Sequence, residues 1–378
     1  MNEKKEFTVK KERNTSIDLL KAIAMFMVVI LHTIMYGLAD VEFVKASKIV
    51  CDVLQGVSIV AVNCFVLITG YFMCDTTKIN WGRLLRLWIQ VECFSIGMYM
   101  MMCVVPNTGI TFNVTDLIRN AMPLLTNQYW FVTCYFLLCI IAPFLNVFIN
   151  AVENDEYRKV LIILTILFSV IPSINIFGDQ FGTKNGYSLI WFCILYLIAA
   201  YIRRMDNFIS TTNIFFGIFL SLTVINIILR IVGDYVPEII QVLIRNSAVA
   251  YNGSIVLIMS VALFEYALNK KTQMSSKVTK VASLSFGVYL WHENNNVREY
   301  IWNQAKLSNV ADNWLLLLVK ILGVAILVFT IGILMESIRR VVIYGGGDCS
   351  KIMECTIREV KYINFCGSMK GNYIIYEN

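Results

Sequence analysis

The chain has two histidines, and one of them, His32, stands with ten residues between it and Lys21 inside a long apolar run. A neutral imidazole can take a proton from a hydroxyl, or carry an acyl group as a nucleophile. Eleven helical steps of about 100° return a side chain to nearly the same angle, roughly 16 Å further along the axis. Asp18, Lys21 and His32 therefore share one stripe of a helix reading SIDLLKAIAMFMVVILHTIMYG, with Ser16 placed to cap its start. Titratable groups inside an apolar span are costly and point to function by default. Each also has a structural reading: Lys21 reaching back to an interface, His32 hydrogen-bonded between helices.

Two more places carry polar chemistry. In WGRLLRLWIQ, Arg83 and Arg86 are neighbours on one helical face that Gln90 extends. Paired guanidiniums give bidentate donors suited to phosphate, although arginines at this kind of site also anchor helices to a membrane surface. Glu92 lies deeper, on another face, as a candidate partner for a buried base. Further on, SLSFGVYLWHENNN places His292 and Glu293 beside three asparagines, a polar patch that must face a cavity or other helices. Lys320 reads as one more buried charge.

These residues need scaffolding, and the composition says of what kind. The chain has 378 residues, 58% of them hydrophobic and only 15% charged, too few charges to cover the surface of a soluble domain. Its net charge of +6 comes from lysines and arginines clustered between apolar runs, not from a continuous basic face, which excludes nucleic acid as a partner. The 11 cysteines include no C-x-x-C pair, so no zinc or redox signature is present, and no metal is expected.

A span of about 20 apolar residues crosses a bilayer. Such runs fall near 17–38, 50–73, 84–105, 129–150, 160–177, 188–202, 213–232, 247–268, 281–302 and 314–336. Basic residues concentrate on alternate loops: Lys4 to Arg13, Lys78 to Arg86, Arg158 and Lys159, Arg203 and Arg204, Lys270 to Lys280, then Arg339 and Arg340. That alternation fits the positive-inside bias with both ends cytoplasmic. The expectation is an all-α polytopic bundle of about ten transmembrane helices in the cytoplasmic (cell) membrane. A cytoplasmic segment over 1–16 precedes a membrane domain over 17–340, and a cytoplasmic tail over 341–378 follows it. The first apolar run lacks a small-residue cleavage site and is read as a retained helix. The loop over 106–128, with Pro106, Gly109 and Pro123, is placed to cover an outward-facing site.

Taken together, the chain resembles the acyltransferase-3 family of bacterial membrane proteins over roughly residues 13–336. The resemblance rests on Lys21 and His32 as a basic residue, ten residues, then histidine; on Arg83 and Arg86; on FVLITGYFM with Gly70; on YWFVTCYFLLCIIAPFL with Trp130, Phe131 and Pro143; and on SLSFGVYLWH ending at His292. It implies transfer of an acyl group, acetyl above all, from acetyl-CoA or another acyl-CoA onto an envelope polysaccharide or lipid-linked sugar. His32 would be the base or the acyl carrier, Lys21 would orient the donor or hold charge on the His32 stripe, and Arg83 and Arg86 would bind the donor phosphates. The competing class is a transporter or flippase of a lipid-linked sugar, which would also show about ten spans and buried charges. The sequence shows no inverted repeat.

Overall fold

Within a bilayer every backbone amide needs an internal partner, so apolar runs of this length fold as helices. The computed structural model describes residues 14–39, 41–42, 44–179, 181–205, 212–270, 272–273 and 275–344, and among these there is no strand. The expected N-terminal segment, apart from its last three residues, and all of the tail beyond Tyr344 lie outside the described residues.

In chain order the helices are α1 (Thr15–Gly37), α2 (Lys45–Ser58), α3 (Ala61–Met73), α4 (Trp81–Val104), α5 (Val114–Asn120), α6 (Trp130–Ala151), α7 (Asn154–Thr165) and α8 (Ile171–Ile174). There follow α9 (Leu189–Arg204), α10 (Thr212–Gly233), α11 (Glu238–Ile244), α12 (Ser254–Asn269), α13 (Ser276–His292), α14 (Asn295–Ala305) and α15 (Trp314–Tyr344). Among the described residues, eight helical stretches of this polytopic bundle are long and apolar enough to cross a membrane: α1, α2–α3, α4, α6, α7–α8, α10, α11–α12 and α15. The two remaining expected spans correspond to the shorter α9 and α13, of 16 and 17 residues. Below, the end of the bundle that carries the basic loops is called the inner end, and the opposite one the outer end.

Several spans are interrupted. Single π-helical turns at Ile166–Val170 and Arg245–Val249 join α7 to α8 and end α11. Such turns widen the helix locally and are common beside functional sites. The ninth expected span, 281–302, is not continuous. Helix α13 stops at His292, and Asn294 caps α14 by accepting a bond from the Asn296 backbone N–H at 2.9 Å.

The start of α1 also differs from expectation. Asn14, not Ser16, caps it, accepting from the Ser16 backbone N–H at 2.9 Å. The Ser16 hydroxyl instead donates to the Lys270 carbonyl at 2.6 Å, while Asn14 Nδ2 donates to the Leu268 carbonyl at 3.1 Å. Both bonds fasten the inner end of α1 to the end of α12. One turn on, Thr279 of α13 donates to Asp18 Oδ2 at 3.0 Å.

Close helix approaches depend on glycine. A Cβ on Gly70 of α3 would lie 2.7 Å from the Tyr196 carbonyl oxygen of α9. One on Gly332 of α15 would lie 2.6 Å from the Val288 Cα of α13, and one on Gly287 would meet the Glu336 side chain at 2.4 Å or so. Glu336 is fully buried and holds Arg339 and Arg340 through bonds of 2.7 and 2.8 Å, and Arg340 Nη1 in turn contacts the Ser283 hydroxyl at 3.3 Å. Thus α13 is clamped between α1 and α15, and whatever projects from its outer end is held from both sides.

Candidate functional site

The register of α1 against α13 follows from the Asp18–Thr279 bond at the inner end. His32 lies fourteen residues beyond Asp18 and His292 thirteen beyond Thr279, so two parallel helices rising about 1.5 Å per residue bring them level. The imidazoles meet: His32 Nδ1 is 3.0 Å from His292 Nε2, with ring centroids 5.1 Å apart. Neither ring is open to the surface; His292 is wholly buried and the His32 side chain keeps 10% of its exposure.

Partners of the pair define its protons. His292 Nδ1 lies 2.5 Å from the Val288 carbonyl oxygen one turn back in α13. A carbonyl only accepts, so Nδ1 of His292 carries the hydrogen and, in the neutral ring, Nε2 is an acceptor. His32 Nδ1 must then be the donor between the two rings. The lone pair of His32 falls on Nε2.

Glu293 is the third member. Its Oε2 lies 3.1 Å from His32 Nδ1, without the alignment of a hydrogen bond. Its Oε1 accepts from the Tyr36 hydroxyl at 2.9 Å and from Arg298 Nη1 at 3.1 Å. The Arg298 guanidinium also stacks on the Tyr36 ring, 4.8 Å from its centroid. A buried carboxylate without a cation is strongly disfavoured, and Arg298 supplies that cation. Tyr36 also stacks at 6.4 Å on Trp302 of α14, whose ring meets His292 edge-on at 6.3 Å.

Around this core runs a carboxamide network. Tyr129 donates to the Leu290 carbonyl at 3.0 Å and accepts from Asn294 Nδ2 at 2.8 Å. Asn296 Nδ2 donates to Asn120 Oδ1 at 2.8 Å, and the Ser95 hydroxyl has two acceptors for its one hydrogen, the Asn120 carbonyl at 2.6 Å and Gln128 Oε1 at 2.7 Å. The 106–128 loop, which contains α5, is thereby tied to α4 and α14 beside the histidines. The second polar patch read from the sequence is thus one assembly with His32.

The other sequence candidates are elsewhere. Lys21 sits an inner-end distance of roughly 16 Å from His32, at 1.5 Å per residue, with its ammonium 5.9 Å from the Phe72 ring centroid. Arg83 and Arg86 occupy the first two turns of α4 at the inner end, half-buried and exposed respectively. Glu92 is further along α4, with both its carboxylate oxygens buried. Lys320 is corrected: it is half-buried, and its ammonium donates to the Lys306 carbonyl at 2.6 Å.

Tyr36 and Arg298 were missed in the sequence. Tyr36 lies one turn beyond His32 on the same face of α1. An arginine within the presumed 281–302 span should have drawn attention, since buried cations are costly there.

His32, His292 and Glu293 offer three ligand atoms within 4.8 Å of one another and could hold a metal ion. The Arg298 guanidinium lies on Glu293 Oε1, while Oε2 faces His32 Nδ1. A separate cavity of about 200 Å³ between α2 and α10, lined by Lys45, Lys48, Asp52 and Asp234 among others, shares none of these side chains.

The family model described as an acyltransferase domain matches residues 14–336, which is nearly all of the described structure. No curated protein and no solved structure gives a match.

Proposed function

The chain belongs to the acyltransferase-3 family and is a membrane acyltransferase, and from that footing we propose which groups it joins. The donor is an acyl-CoA, acetyl-CoA in the first place, entering from the inner end. The acceptor is a hydroxyl of an envelope polysaccharide or a lipid-linked sugar at the outer end, and the setting is the cell membrane.

The observation that carries this reading is the hydrogen-bond order around His32. With Nδ1 turned to His292 and Glu293, the other nitrogen of His32 keeps its lone pair for chemistry. A base so oriented takes the acceptor proton as the acceptor oxygen attacks the thioester carbon. Glu293, held by Tyr36 and Arg298, stabilises the imidazolium that results. On collapse the C–S bond breaks and the same proton passes from His32 to the thiolate. In this account His292 sets the tautomer. Arg83 and Arg86 bind the donor phosphates at the inner end, and the thin pantetheine arm spans the distance along α4 and α1 to His32. Lys21, on the His32 stripe near that end, attracts the same anionic donor.

The test is the mass of the envelope glycan made with and without the chain. Transfer predicts an added acyl mass on the repeat or lipid-linked unit, reporting acyl size and acceptor together. A flippase would change the amount exported and leave the mass of each unit as it was.

A further inference from the structure

Three atoms converge where α1 meets the end of α13: His32 Nδ1, His292 Nε2 and Glu293 Oε2. The first is 3.0 Å from the second and 3.1 Å from the third, and all three lie within 4.8 Å of one another. They share one hydrogen. That of the His292 ring is spent on the Val288 carbonyl, which leaves only the hydrogen on His32 Nδ1 for two acceptors. It goes to His292, and Glu293 Oε2, on a residue 3% exposed, accepts no hydrogen bond. Buried polar atoms normally find partners, so this oxygen asks what else is held at the point it faces.

A cation satisfies all three atoms where a single hydrogen satisfies two. The ligand atoms of a tetrahedral Zn²⁺ stand about 2.0–2.1 Å from the ion and so about 3.3 Å from one another, near the two spacings around His32 Nδ1. Two imidazoles and one carboxylate are a set that holds zinc and leaves a fourth position for water. The side chains are also braced as ligands are. The Val288 carbonyl fixes the His292 tautomer so that its Nε2 lone pair faces His32, and Tyr36 and Arg298 hold the other Glu293 oxygen. The Arg298 guanidinium, on the same carboxylate, repels a metal ion, so binding is weaker than at a site without a cation, and reversible.

We propose that His32 Nδ1, His292 Nε2 and Glu293 Oε2 bind one divalent ion of the imidazole-preferring kind, Zn²⁺ in the first place, and that the ion switches the site off. The binding site stands on the geometry alone; the switch rests on the transfer reading given above. An ion on His32 Nδ1 takes the electron pair of that nitrogen, and the hydrogen it carried moves to Nε2. The neutral ring keeps one hydrogen, so no proton is lost. What is lost is the Nε2 lone pair, and with it the base that takes the acceptor proton. Zinc therefore lowers kcat and leaves KM for the acyl donor as it was. Mg²⁺ prefers oxygen ligands and gives up its water reluctantly, so it does not act in the same way.

The experiment has two arms, both on the full-length chain. In the first, Co²⁺, which takes zinc sites and is visible by its d–d absorption, is titrated into the purified protein in detergent. One equivalent should bind as a four-coordinate ion, without the sulfur charge-transfer absorption that any of the 11 cysteines would add, and Zn²⁺ should displace it. Glu293→Gln and His292→Ala, each checked for unchanged thermal unfolding, should bind it at least about tenfold more weakly. In the second arm, membranes supplied with labelled acetyl-CoA should lose transfer as Zn²⁺ rises, keep it with Mg²⁺, and regain it on chelation. No cobalt binding, or binding that both variants retain, overturns the site. Binding at the site with transfer that zinc leaves alone or raises overturns the switch when His32→Ala is inactive. Undiminished transfer by His32→Ala removes the base reading and the switch with it, and the cobalt arm then judges the site by itself.

Discussion

Nδ1 of His32 lies 3.0 Å from Nε2 of His292, although 260 positions separate the two residues along the chain. One ring ends on a backbone carbonyl and the other on a carboxylate held by an arginine, so the pair has a direction. The donors run from His32 on α1 to His292 on α13 and on to the Val288 carbonyl, and the free nitrogen is on His32.

That direction makes His292 a positioning residue. His292→Ala should leave the chain at its normal membrane level and lower kcat by about 10²-fold or more, as loss of a tautomer-setting partner does in other acyl transfers. Donor KM should hold. Steady-state kinetics in membranes decide the matter, and parental kcat in the variant would show that His32 is oriented without its neighbour.

Arg298 supports Glu293 with a charge-assisted bond of 3.1 Å. Losing such a bond is worth about 1.5–3 kcal/mol, so Arg298→Ala should reduce kcat by roughly 10- to 100-fold. Arg298→Lys, which keeps the charge, should recover part of the loss. Equal damage from both substitutions would assign the arginine to packing on Tyr36 instead.

At the inner end, Arg83→Ala and Arg86→Ala should raise KM for the acyl-CoA donor with a smaller change in kcat, because they touch groups far from the bond that breaks. A donor lacking the terminal phosphates should respond less to these substitutions than the full donor. Insensitivity of KM to both would leave the pair as membrane anchors.

The clamp on α13 has its own test. Gly332→Val forces a side chain against Val288, where a Cβ already comes within 2.6 Å of the backbone, and overpacking of this kind costs about 1–3 kcal/mol. Lower thermal stability together with lower activity is the expected result. Gly323→Ala, at a position of α15 with nothing within 4 Å, serves as the control and should match or exceed parental stability. If both behave alike, α13 and α15 are not locked at Gly332.

Much of this architecture was legible because lipid imposes a coarse code. Twenty apolar residues located most of the spans, though not the end of the ninth, and the contrast of Lys21 and His32 with their surroundings singled out α1. The break after His292 was not legible from hydropathy, which averages over a window and cannot see a single turn unwind. Its signal was local instead: Glu293 and Asn294 can each replace backbone bonds at a helix end, and Asn294 does so. Reading through that break made Arg298 look like part of a span and hid it as the partner of Glu293. Lys320 misled in the opposite way, since a carbonyl at Lys306 within reach of its ammonium is a fact of folding that no spacing reveals. Likewise, two histidines far apart in sequence become one site only through the level register of α1 and α13.

The most direct measurement is transfer of labelled acetyl from acetyl-CoA into acceptor by membranes holding His32→Ala at the same level as the parent. The account predicts robust labelling by the parent and background labelling by the variant. Equal labelling by the two would contradict it.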